Sequence, residues 1–199
     1  MKGRIISNIT PQQKIVGVNN KFGNTNIKNQ QGTTRTIFDS LPIDGRTTYR
    51  FFEDANLRQF PLTNIGSEGN RLQVGETFVI QKAYLSVVEI DPDTGQVIGF
   101  TPVPVIGGYI PILTGELDFI IANSQVIKQL PSSVFANICN PTSASASDNT
   151  FNFSTDIVIP PLLEYVAQLR TTSQAAQTNK YLRLTIEGTA GILAPQTTF

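Results

Sequence analysis

The run LQVGETFVIQKAYLSVVEI at 72–90 is the longest stretch of β-forming residues in the chain, and it limits what can be built around it. From Phe78 onward, Phe78, Ile80, Tyr84, Val88 and Ile90 fall on one face of an extended segment, and Val79, Ala83, Leu85 and Val87 fall on the other. A strand that is apolar on both faces needs cover on both, which points to packed layers. Strands at 151–159 and 182–186 are expected to supply one cover, and a helix at 161–170 or a neighbouring subunit the other. Gln81 and Lys82 interrupt both faces midway. Gly75 and Glu76 mark a bend, leaving 72–74 either as a short strand or as the start of one long bulged strand.

Further strand signals recur at intervals set by turn residues. In TTYRFFEDANLRQFPLTN at 47–64, Tyr49 and Phe51 alternate with Arg50 and Phe52 after a turn supplied by Pro42, Asp44 and Gly45. DPDTG at 91–95 reads as a hairpin turn, with Pro92 presetting φ and Gly95 taking a positive one. The segment 101–115, with three prolines and three glycines, reads as an edge, a bent strand or a loop with its corner at Gly107 and Gly108. ELDFIIANSQ at 116–125 is strand-like, with Leu117, Phe119 and Ile121 on one face. Residues 140–150 form a polar low-complexity loop. Phe151, Phe153, Ile157 and Ile159 then alternate with polar neighbours up to Pro160.

In PPLLEYVAQLR, Pro161 suits a first helical turn, and Leu162, Leu163, Val166 and Leu169 form a stripe, so a single short helix is expected there. In YLRLTIEG, Leu182, Leu184 and Ile186 face inward, and Gly188 and Gly191 end the strand. Seven or eight strands with such spacing predict an all-β fold: an antiparallel β-sandwich, jelly-roll-like, with one short helix and an extended N-terminal arm.

Chemistry is scarce in this sequence. Without histidine, and with Cys139 as the single cysteine, the chain has no Ser-His-Asp or Cys-His machinery, no internal disulfide and no Cys/His zinc site. Asp91, Asp93 and Gly95 resemble half of a calcium loop, yet Pro102 stands where the twelfth-position glutamate belongs, so no metal is assigned. The carboxylate pairs are Glu53 with Asp54, Asp91 with Asp93, and Glu116 with Asp118. Only the last shares a face if its segment is extended, and its ordinary reading is a pair of solvated side chains at a strand start. No catalytic residue, metal ligand or cofactor is predicted, and a hydrolase built on Glu116 and Asp118 ranks last. The start of the chain has no apolar core of signal-peptide length, and no later run approaches a membrane span, so a soluble protein made in the cytoplasm is expected.

Charge divides the chain in two. Residues 1–36 hold six Lys or Arg and no acid, and residues 37–199 hold nine Lys or Arg against fifteen Asp or Glu. The predicted organisation is an extended basic arm over 1–36 and a sandwich domain over 37–199. The arm is too polar to bury itself. Ile5, Ile6, Ile15 and Val16 are its candidate anchors on a neighbouring subunit, with the acidic body as charge complement. Nucleic acid is the weaker alternative, because six spread charges without aromatics leave a faint electrostatic footprint.

RFFEDANLRQFPLTN, the "VGETFVI" start of the long strand and the closing YLRLTIEGTAGIL resemble small virion structural proteins of double-stranded DNA bacteriophages, in particular crAss-like phages and their relatives, over roughly residues 47–190. The resemblance implies a coat, auxiliary capsid or head-fibre protein with a jelly-roll-like sandwich. It implies capsid subunits as partners, a virion location and no site residues. A homo-oligomer is expected, with a trimer favoured. The rival from another class is a carbohydrate-binding sandwich module of a phage fibre or surface adhesin, for which Tyr49, Tyr84, Tyr109, Tyr165, Tyr181 and the phenylalanines are the available aromatic platforms.

Overall fold

The structure, a computed structural model, describes residues 13, 15, 17, 30–66, 69–103, 109–136 and 150–193. In chain order the strands are β1 (Gln30–Pro42), β2 (Thr48–Phe51), β3 (Thr77–Ile90), β4 (Val97–Pro102), β5 (Glu116–Ile121), β6 (Ser124–Pro131), β7 (Thr150–Ile159), β8 (Tyr165–Arg170) and β9 (Lys180–Leu193). The short helix α1 (Ile110–Leu113) lies between β4 and β5. The protein is an all-β antiparallel sandwich of two sheets. One is ordered β1-β9-β3-β4 with β7 also on β3, and the other is ordered β2-β8-β5-β6.

The pairing is nested. β1 pairs with β9, β2 with β8, β3 with β7, and β5 with β6, as if one long antiparallel hairpin had been folded over on itself. Two further ladders, β9 on β3 and β8 on β5, close the sheets. β4 is an addition to this scheme. It returns from the 91–95 hairpin turn along β3 from Ser86 to Ile90, beyond the stretch of β3 taken by β7.

β3 is the buried centre of its sheet, as its two apolar faces predict, but the faces are not the ones simple alternation gives. Its pairing with both β7 and β9 shifts register between Ile80 and Lys82. This bulge at Gln81 moves the inward phase from Phe78 and Ile80 to Ala83, Leu85 and Val87, all of which join the core. Gly188 meets the bulge from β9, where an added Cβ would sit 1.8 Å from the Val79 carbonyl oxygen. Gly188 and Gly191 therefore lie inside β9 instead of ending it. On the opposite face of β3, Val79, Ser86 and Val88 are buried as well.

The source of the core-side cover differs from expectation. The 151–159 and 182–186 strands flank β3 within its own sheet, and the facing layer is the β2-β8-β5-β6 sheet. The 161–170 segment is not a helix. A stripe with helical spacing also places Tyr165, Ala167 and Leu169 at alternate positions, and all three are buried in the core. Ladders to β5 and β2 on either side fix β8 as a strand, and a left-handed Leu162 (φ 64°) breaks the chain ahead of it. A short helix stands instead at IPIL, 110–113, started by Pro111 in its first turn.

The 116–125 segment turns at Ala122 (φ 52°) and divides between β5 and β6. β1 begins at Gln30, so residues 30–36, expected as the end of the arm, pair residue by residue with β9. Gln13, Ile15 and Gly17 are helical and Ile15 is buried within the chain, in contrast to the extended arm expected there. Ile5, Ile6, Val16, Cys139, Gly107, Gly108, most of the 140–150 loop and Phe199 lie outside the described residues.

Candidate functional site

Of the carboxylates singled out from sequence, Glu53, Asp91, Glu116 and Asp118 have side-chain partners within the chain. Asp118 and Glu116 do share a face of β5, and both reach Arg170 on β8, at 2.8 Å and 3.4 Å. Asp118 is buried and also accepts the Gln129 N–H at 2.8 Å, which satisfies the backbone where β5 and β6 slip register around a left-handed Gln129. Asp118 is thus committed to two structural contacts, Arg170 and the Gln129 backbone. Asp91 caps its own turn, accepting the Asp93 N–H at 2.8 Å, and these backbone donors hold its carboxyl below the ordinary range. Among the described residues, no group of three or more His, Cys, Asp or Glu side chains could hold a metal ion. No helix among them is long and apolar enough to cross a membrane.

Glu53 and Asp54 are arranged differently from the strand geometry expected. β2 ends at Phe51, and Phe52 (φ 71°) and Asp54 (φ 52°) take left-handed conformations. Both acids consequently line one polar cleft of about 400 Å³ with Arg50, Asn56, Asn70 and Glu164. Glu53 is engaged by Arg50 at 2.5 Å.

The segment that follows, 52–65, is strapped across the β1/β2 edge of the sandwich. Its centre is Asp39, fully buried on β1, which accepts the Phe52 N–H at 2.7 Å and both Nε and Nη2 of Arg58 at 2.9 Å and 2.6 Å. Burial pushes the Asp39 carboxyl up, and the Arg58 and backbone hydrogen bonds pull it back. Further along, Thr63 and Asn64 bond the β1 backbone at Phe38, and the Pro61 carbonyl accepts from Arg183 on β9. The Arg183 guanidinium also stacks over Phe38 at 4.2 Å. Held at both ends, the strap carries Leu57 and Phe60 out into solvent, 77% and 81% exposed.

The other edge of the sandwich is formed by β6 and β7. β6 ends one sheet there and β7 flanks the other. Between them runs a groove of about 300 Å³, lined mainly by Val126, Ile127, Leu130, Phe151, Phe153 and Ile157. Phe151 and Phe153 meet edge to face, 5.0 Å between centroids. β4, with Val97, Ile98 and Phe100 exposed, is a second apolar margin. Of the tyrosines offered as sugar platforms, Tyr49 and Tyr165 are spent in the core.

Searched against protein-family models, curated proteins and solved structures, the chain matches none. The surfaces described above were not legible as sites in the sequence. One signal for the strap was available: Pro61 after Phe60 forbids a continuing strand ladder, so an aromatic there, among Asn56, Arg58 and Gln59, belongs on a loop. The groove gives no such signal, because its walls come from strands twenty or more residues apart.

Proposed function

We propose that this chain is a non-enzymatic structural subunit of a bacteriophage virion, a coat or decorating protein that works as a homo-oligomer with other capsid subunits. The observation that carries the reading is the nested pairing of β1 with β9, β2 with β8, β3 with β7 and β5 with β6. That order supports the jelly-roll form of the sandwich, a scaffold used by viral capsid and lectin domains. Fold alone does not fix function. Two further features favour a structural role: the acids nearest to a catalytic pair are committed to Arg170 and to a register shift, and large apolar side chains stand exposed at the strap and at β4. The resemblance over residues 47–190 points the same way and suggests the virion as location.

Native mass and negative-stain images of the purified full chain test this. Closed oligomers or shell-like particles are the expected result, and a monomer at high concentration with no affinity for capsids overturns it. A carbohydrate-binding role ranks second, on the polar cleft of Arg50, Asn56, Asn70 and Glu164. It lacks an aromatic wall on which a sugar could stack, and a glycan array without hits removes it.

A further inference from the structure

We infer that copies of this chain associate head to tail, the strap of one subunit seating Phe60 and Leu57 in the β6–β7 groove of the next. This rests on the self-assembling reading above and specifies the surfaces it uses.

Phe60 and Leu57 are the most exposed large apolar side chains of the described residues, and they are presented by a backbone already fixed through Asp39, Arg58, Thr63, Asn64 and Arg183. A knob held in place before contact loses little entropy on binding, which is what an anchor residue needs. A dry apolar cavity of about 150 Å³ takes a benzene ring. The groove, at about 300 Å³, therefore admits the Phe60 ring with space for part of a second side chain.

Exposed charges of opposite sign stand on the strap and on β6, the latter outside the groove's own lining, whose one charged residue is Asp156. Asp54 next to the knob and Lys128 next to groove residue Ile127 are both exposed, and neither has an ion pair among the described residues. Asp156, on the β7 wall, is engaged within its own chain. Knob and groove occupy opposite edges of the sandwich, β1/β2 against β6/β7, so the contact is heterologous: each subunit offers one of each, and the chain of contacts closes into a ring when the rotation permits. The competing margin, β4, carries a register shift against β3 and ends in Pro102, two features that blunt edge-to-edge pairing.

Full-length protein, analysed by size-exclusion chromatography with light scattering, tests the arrangement with the variants Phe60→Asp and Val126→Glu. Both positions are exposed, and unchanged circular-dichroism melting establishes that the variants fold; Leu57→Ser gives a milder version of the knob test. The wild type is expected as an oligomer, and each variant is expected to associate at least tenfold more weakly. An equimolar mixture of the two variants is expected to form a heterodimer, since it retains one intact knob and one intact groove. An oligomeric wild type whose variants remain oligomeric, or whose mixed variants stay monomeric, overturns the knob-and-groove contact and leaves self-assembly standing. A monomeric wild type overturns both.

Discussion

Replacing Asp39 by alanine should cost this fold more than any change at an exposed acid. The carboxylate is fully buried and accepts from the Ser40 and Phe52 N–H groups and twice from Arg58. Removing it strands a buried N–H at Phe52, worth about 1–3 kcal/mol. It also leaves Arg58, whose side chain is only 19% exposed, with the Glu53 carbonyl as the one remaining partner of that side chain among the described residues. These losses share one site and do not add, so the figure for breaking a buried ion pair, about 3–5 kcal/mol, bounds the whole. For a chain of this length, that is a fall in melting temperature of roughly 6–20 °C. Asparagine keeps an acceptor for Phe52, and burial already opposes the charged form, so Asp39→Asn should lose about half as much. Urea unfolding followed by circular dichroism gives the free energies, with Asp54→Ala as the exposed control. If Asp39→Ala shifts the urea midpoint no further than Asp54→Ala, the strap is not held in the way described.

Gly188→Ala drives a Cβ into the Val79 carbonyl at the bulge, with backbone on both sides and no side chain free to yield, so a loss of about 3 kcal/mol is expected. Gly32→Ala, where nothing lies within 4 Å, should be close to neutral by the same melting assay, and equal effects at the two sites refute the bulge geometry. Asp118→Ala, which frees Arg170 and the Gln129 N–H, should cost about 2–4 kcal/mol, and Glu116→Ala, at an exposed 3.4 Å pair, under about 0.5 kcal/mol. Similar losses at Glu116 and Asp118 would contradict the structural assignment of Asp118.

Strands with clear alternation were readable in sequence as strands: β3, β5, β7, β9 and the hairpin turn at 91–95 fall within the segments the pattern marks. The bulge that moves the faces of β3, the turn at Ala122 and the run of β9 past Gly188 were not readable, because each is set by a distant partner or a single backbone angle. β8 was not readable as a strand, because Val166 and Leu169 complete a helical stripe with Leu162 and Leu163 while Tyr165, Ala167 and Leu169 alternate as a half-buried strand, and only the distant partners Ile121 and Leu117 choose between the two. β1 was missed for the opposite reason. Gln31, Gly32, Thr33 and Thr34 carry no apolar signal, and their strand state comes from pairing with residues more than 150 positions away. The candidate surfaces depend on such pairings too: Asp39 reads as one more surface acid until β1 is known to face the core.

The nested pairing also sets when this protein can fold. β9 lies between β1 and β3 and completes the ladders of both, yet it spans residues 180–193. During synthesis, β1 and β3 emerge early and must wait for roughly another hundred residues before their shared neighbour leaves the ribosome; the β5–β6 hairpin is free to form much sooner. Until then β3, with two apolar faces and the edge that β9 takes still unpaired, is the segment most open to wrong partners, and any premature stop before residue 180 leaves that edge bare for good.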